Sequence, residues 1–127
     1  MAARRSRAAE GDAGDRRPQH RVARPACCTV YGRVPPGTER SGFANTTLDT
    51  ILRNLGVNTC VMAGVTTCVC VSTTIREGVE YNYRMIVVSD AVAEIHRDTH
   101  EAELNTMARI FADVKSSDEV IKMLAQG

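Results

Sequence analysis

From Ser41 to the end of the 127-residue chain, the sequence predicts an α/β domain, a mainly parallel sheet with flanking helices in a Rossmann-like three-layer arrangement. Two observations carry this. Helical and strand-like patterns alternate in order, as in a doubly wound sheet. The strand-like runs are also continuously apolar rather than alternating, as strands covered on both faces are.

The first helix follows Asn45-Thr46-Thr47, which offer N-cap oxygens. Leu48, Ile51, Leu52 and Leu55 then repeat at helical spacing, and Gly56 stands as a C′ stop. Thr59–Ala63 is a short apolar run between Gly56 and Gly64, a buried strand. A turn, Gly64-Val65-Thr66-Thr67, leads into a second helix from about Val69 to Glu80. Met85–Val88 is the second strand and closes at Ser89-Asp90. A third helix is expected from about Thr99 to Phe111, with Asp98 and Thr99 at its start, and Ala112–Val114 as a short edge strand. Ser116 and Glu119 fit the N-cap and N3 places of a capping box, and the last helix should turn Val120, Ile121 and Leu124 inward. Only three strands are legible, fewer than the four to six of most sheets, so the fold reads as incomplete, the C-terminal part of a larger one.

Residues 1–40 are a different kind of polypeptide. They hold nine Arg against four acids, +5, whereas residues 41–127 hold seven Arg and Lys against eleven acids, −4. All four prolines lie in the first forty residues, with no apolar period. Such a basic, Pro/Gly/Arg-rich segment cannot offset its chain entropy by burial and is expected to be disordered. No aromatic residues interleave Arg4-Arg5 or Arg16-Arg17 to stack on bases, so a nucleic-acid partner is not expected. No apolar run approaches the ~18 residues that cross a bilayer, and no secretory h-region is present. A cytoplasmic product without membrane attachment is expected.

Five cysteines, Cys27, Cys28, Cys60, Cys68 and Cys70, are an odd set without a secretory signal, which argues against a disulfide framework. Cys68-x-Cys70 lacks the spacing of a zinc knuckle. His96 and His100 read as surface residues, and no metal or cofactor is expected. Cys60, inside a strand, belongs to the core. Cys70 stands apart: it begins a helix directly after a buried strand, where free backbone N–H groups and the helix dipole favour a thiolate and a developing oxyanion.

Gly64-Val65-Thr66-Thr67-Cys68-Val69-Cys70-Val71, with Thr73-Thr74-Ile75-Arg76-Glu77-Gly78, resembles the nucleophile motif of isochorismatase-like cysteine hydrolases. Ser41-Gly42-Phe43, Ser89-Asp90-Ala91, His100-Glu101 and Ser117-Asp118-Glu119-Val120 match further landmarks of that family in order and spacing, across about residues 41–125. The resemblance implies that Cys70 is the nucleophile attacking an amide carbonyl to give an acyl-enzyme. It implies a non-proline cis peptide between Val65 and Thr66, and an oxyanion hole from the backbone N–H groups of Thr66 and Cys70. It also implies a small-molecule amide or ureido substrate and a homo-oligomer. Cys68 occupies a place where relatives often carry Asn or Asp. The family's base Asp and Lys have no counterpart: the acids before residue 41 follow no apolar strand, Gly37 stands at the Lys place, and the lysines are Lys115 and Lys122. Two readings result, an amidohydrolase working through Cys70, and an inactive truncated or mis-framed member acting as an interaction or oligomer module.

Overall fold

The Arg84–Ala93 strand is the middle of the sheet, and its alternation explains why the domain has two cores. In the computed structural model, which describes residues 40–126, Met85 and Val87 point to one face while Ile86 and Val88 point to the other, all four buried. The expected disorder of residues 1–40 lies outside the described residues, apart from the exposed bend at Arg40. The elements run α1 (Leu48–Asn54), β1 (Thr59–Val65), a π-helical turn (Thr67–Val71), α2 (Ser72–Glu80), β2 (Arg84–Ala93), α3 (Arg97–Thr106), a second π-helical turn (Met107–Phe111), β3 (Asp113–Lys115) and α4 (Ser117–Ala125). The sheet order is β1-β2-β3 and both pairings are parallel. This is the α/β architecture that the alternating pattern predicts.

On one face, Val71, Ile75, Met85, Val87, Val92 and Met107 form the larger core with Phe43 and Tyr83. Val71, the last residue of the π-helical turn, and Ile75 of α2 recur at helical spacing, which turns the same side of both onto the sheet. The opposite face is covered by α4, whose Val120 packs against Ile86 and Val88 with Met123 and Leu124 beside it. Ile121 is not inward as expected: it is 62% exposed, because the face of α4 that meets the sheet falls on Val120, Met123 and Leu124.

Element boundaries differ from the sequence reading in ways that matter for function. α1 ends in a Schellman motif, with the Val57 N–H donating to the Leu52 carbonyl at 2.9 Å and the Gly56 N–H to Arg53 at 3.0 Å. Gly56 sits at φ +68°, where a Cβ is disfavoured, so it stops the helix as its position suggested. The second helix begins earlier than Val69, because the Thr67–Val71 turn is already helical, with π rather than α geometry. Likewise α3 starts at Arg97 with His96 as N-cap, two residues ahead of Thr99, and its last stretch from Met107 is a π-helical turn. β2 extends five residues past Val88, since β1 resumes pairing with it at Gly64↔Val92 and Val65↔Ala93 after an irregularity between Met62 and Gly64.

The start of α4 is fastened twice. Asp90 accepts hydrogen bonds from the Ser117 N–H (2.8 Å) and hydroxyl (2.6 Å), which hold its carboxyl below the usual carboxylate range. The capping box is complete: the Ser116 hydroxyl accepts from the Glu119 N–H at 3.3 Å, and Glu119 Oε2 accepts from the Ser116 N–H at 2.7 Å. Ser116→Ala should therefore lower stability by about 1 kcal/mol in a thermal or denaturant melt.

Candidate active site

β1 runs straight into the turn that carries Cys70, so the sheet itself delivers this side chain to the C-terminal edge of the strands. The Val65–Thr66 peptide is cis. Thr66 is extended (φ −98°, ψ 153°), and its carbonyl then accepts the N–H groups of Val69 (3.3 Å) and Val71 (3.2 Å), closing the turn. Cys70 is half-buried within this π-helical turn. It precedes α2 rather than beginning it, because the switch to α geometry falls at Ser72.

Three tethers fix the turn. From β2, Glu94 is the residue just beyond the Val65↔Ala93 pair, and its Oε2 accepts the Cys68 N–H at 3.1 Å and the Cys68 thiol at 2.6 Å. From α3, His100 Nδ1 lies 2.9 Å from the hydroxyl of Thr67, which is fully buried. From α2, Thr74 donates its hydroxyl to the Cys70 carbonyl at 2.7 Å while accepting the Gly42 N–H at 2.9 Å. This last pair links the Ser41-Gly42-Phe43 segment to the cysteine turn. Ser41 is buried and its hydroxyl accepts the Phe43 N–H at 3.1 Å, so Phe43 enters the core beside Tyr83 with ring centroids 5.7 Å apart.

A polar cluster below the turn locks α2 to α3. Ser72 donates to Glu103, and Arg76 reaches both Ser72 Oγ (3.0 Å) and Glu103 Oε1 (2.8 Å) while its guanidinium lies 4.3 Å from the Phe111 ring centroid. Ser72 is buried, so a partner for its hydroxyl is required to offset its desolvation.

Glu94 also accepts the Ile95 N–H at 2.9 Å. The Cys68 thiol, the Ile95 N–H and the Cys68 N–H, in that order, pull its carboxyl down from 4.5 to about 2. A carboxylate depressed on folding adds stability that is fully present above its ordinary value and is lost as pH falls from 4.5 toward 2. The Glu94 contribution to the melting temperature should therefore be flat above about pH 5 and fall below it. In Glu94→Gln the fall of the melting temperature should be shallower, as a series of thermal melts across pH would show. Asp49, Asp90 and Glu119, likewise depressed, supply the remaining slope.

Of the residues singled out from the sequence, Val65 ends β1, Thr66 follows it across the cis peptide, Cys70 lies in the turn that comes next, and Cys60 packs against the larger core. His100 is a correction: it is partly buried and bonded to Thr67, because α3 lies against the turn; His96 is exposed. Cys27 and Cys28 lie outside the described residues. Glu94 lies outside the motifs legible in the sequence, since its contact with Cys68 spans 26 residues, whereas Thr74 stands within the motif around Cys70 and reaches it from four residues on. Among the described residues no three His, Cys, Asp or Glu side chains are grouped to hold a metal ion, and no helix is long and apolar enough to cross a membrane.

Residues 37–119 match the isochorismatase domain family. The chain belongs to the isochorismatase family. Among curated members, the ureidoacrylate amidohydrolase RutB of Pseudomonas savastanoi pv. phaseolicola is 33% identical over 87 residues, covering 68% of this chain and 36% of that protein. The fold agrees with solved isochorismatase-family structures. An isochorismatase-like hydrolase from Alkaliphilus metalliredigens superposes with a TM-score of 0.65 at 38% identity, over 67% of this chain and 47% of the other. An N-carbamoylsarcosine amidase from Thermoplasma acidophilum gives 0.57 at 40% identity, over 63% and 45%. The chain thus spans a little over a third of the length of the curated isochorismatase-family relative and just under half of these solved ones.

Proposed function

We propose that the protein is a cysteine amidohydrolase that cleaves a C–N bond of a small amide or ureido substrate through a thioester on Cys70. The observation that carries this reading is the position of Cys70. It stands in a turn leaving the C-terminal end of a parallel strand, tied to β2, α3 and the Ser41–Phe43 segment, in a family whose similar members include amidohydrolases and an N-carbamoyl amidase. Ligands of open parallel sheets bind outside the carboxyl ends of the strands.

In the proposed reaction the Cys70 sulfur attacks the carbonyl carbon. An S–C bond forms, the C–N bond breaks, and the thiol proton leaves on the departing nitrogen. Water then cleaves the thioester, restoring the thiol and releasing the acid. The N–H groups of Thr66 and Cys70 serve the oxyanion of both tetrahedral intermediates. The test uses the full chain with an ureido acid or a primary amide: released ammonia is measured, and the peptide carrying Cys70 is weighed after acid quench. Turnover with a mass gain of the acyl group on Cys70 is expected. Turnover with no dependence on Cys70 would overturn the mechanism.

A second reading, an interaction module that assembles with other copies, is favoured by β1. This seven-residue strand carries no charge and no proline, and pairs only with β2 among the described residues. Val61 and Val65 are 38% and 66% exposed on it. Edge strands of monomers are usually blunted by charge or proline. A chain without turnover that sediments as a dimer or larger would favour this reading.

A further inference from the structure

The cysteine turn holds two thiols two residues apart, and among the described residues only Cys68 has a carboxylate in contact. Cys68 donates its S–H to Glu94 Oε2 at 2.6 Å, and the same oxygen accepts the Cys68 N–H at 3.1 Å. A thiol and a carboxylate that share one proton leave it on the sulfur near neutral pH, because the thiolate is the stronger base by about four units. Glu94 is made a weaker base still, since it accepts the Ile95 N–H through its other oxygen. Deprotonating Cys68 would cost it this hydrogen bond and would set a thiolate against a carboxylate at contact distance.

We infer that Glu94 silences Cys68 by holding it as a protonated hydrogen-bond donor, so that the turn presents a single nucleophile, Cys70. The inference rests on the proposed reading of Cys70 only for the identity of the second thiol.

The surroundings act in the same direction. The charged and titratable groups beside this part of the turn are Glu94 after β2, His96 at the N-cap of α3, His100 and Glu103 along α3, and Arg76 of α2, which pairs with Glu103. His100 is engaged with Thr67 rather than with the thiol. Glu103, paired to Arg76, adds to the negative field at Cys68, and His96 favours the ionised form of Glu94. The Glu94 hydrogen bond is the largest cause that raises the Cys68 thiol above its ordinary value, followed by burial. Cys68 is only partly buried, so a small reagent reaches it and its protonation can be read chemically.

The experiment is alkylation of the full chain with iodoacetamide from pH 6 to 10, with the extent at Cys60, Cys68 and Cys70 followed separately by peptide mass spectrometry. In the parent, Cys68 is expected to react with a midpoint above the ordinary thiol range of about 8.5. A midpoint at or below that value overturns the inference without any variant. Glu94→Gln retains an oxygen for the Cys68 N–H but removes the charge. It should raise the Cys68 rate at pH 7.5 by ~3–10-fold and lower its midpoint, with Cys60 unchanged. A Glu94→Gln protein that melts like the parent yet alkylates Cys68 identically would equally refute it. Should that variant not fold, Glu94→Asp keeps the charge but draws it back from the sulfur, and the Cys68 midpoint should still fall. Loss of the Cys70 mechanism would show instead as ammonia release that survives Cys70→Ala, whatever Cys68 does.

Discussion

Replacing Cys70 by alanine is expected to abolish ammonia release from an ureido or amide substrate while leaving the fold intact. Removing a covalent nucleophile has cost on the order of 10⁶-fold in kcat in a well-studied hydrolase, with the residue of rate coming from binding and the oxyanion donors. A loss of that size would place this turnover below detection. The fold should survive because Cys70 is only half-buried and its tether runs through its backbone carbonyl, which Thr74 holds at 2.7 Å irrespective of the side chain. The measurement is ammonia release by parent and variant at equal concentration, with a thermal melt of each. A variant that hydrolyses at the parent's rate would remove Cys70 from the mechanism.

The largest stability effect is expected at Ile75. Its side chain is 0% exposed and sits in α2 beneath the cysteine turn, within the cluster that includes Phe43, Val71, Tyr83, Met85 and Val87. Ile75→Ala removes buried methyl and methylene groups and leaves a cavity that close-packed neighbours cannot fully close. The cost is about 2–5 kcal/mol. For a domain of this size each kcal/mol shifts the melting temperature by roughly 4–8 °C. Ile121→Ala on the exposed side of α4 provides the contrast, since the residue is 62% exposed and should change stability by no more than about 0.5 kcal/mol. Melts of the two variants side by side check the assignment of core and surface, and equal losses would contradict it.

These two isoleucines also show where sequence reasoning reaches its limit. Both lie in helices with an apolar period, yet a stripe on an isolated helix does not state where its centre faces. Val120, Met123 and Leu124 meet Ile86 and Val88, and Ile121 is left outside. Similarly, the run from Thr99 to Phe111 reads as one helix because periods of 3.6 and a single π turn are indistinguishable over five residues. The wider turn at Met107–Phe111 depends on what it packs against, as Met107 is 1% exposed in the core while Ile110 faces outward at 66%.

The sequence by itself determined the order of elements, the parallel sheet, the capping box at Ser116 and Glu119, the stop at Gly56 and the family. Each is written in local residue chemistry: apolar period, side-chain oxygens at helix starts, a glycine at positive φ, and a contiguous motif around Cys70. Only the tertiary structure decided which residues hold that motif in place. Glu94 and His100 come to the turn from 26 and 33 residues away, whereas the third contact, Thr74 to the Cys70 carbonyl, is local and spans four residues. Two of these three contacts exist only because parallel β1 and β2 end side by side and α3 returns across them. A hydrogen bond acts over about 3 Å, and spacing along a chain does not specify such a distance until the sheet is formed.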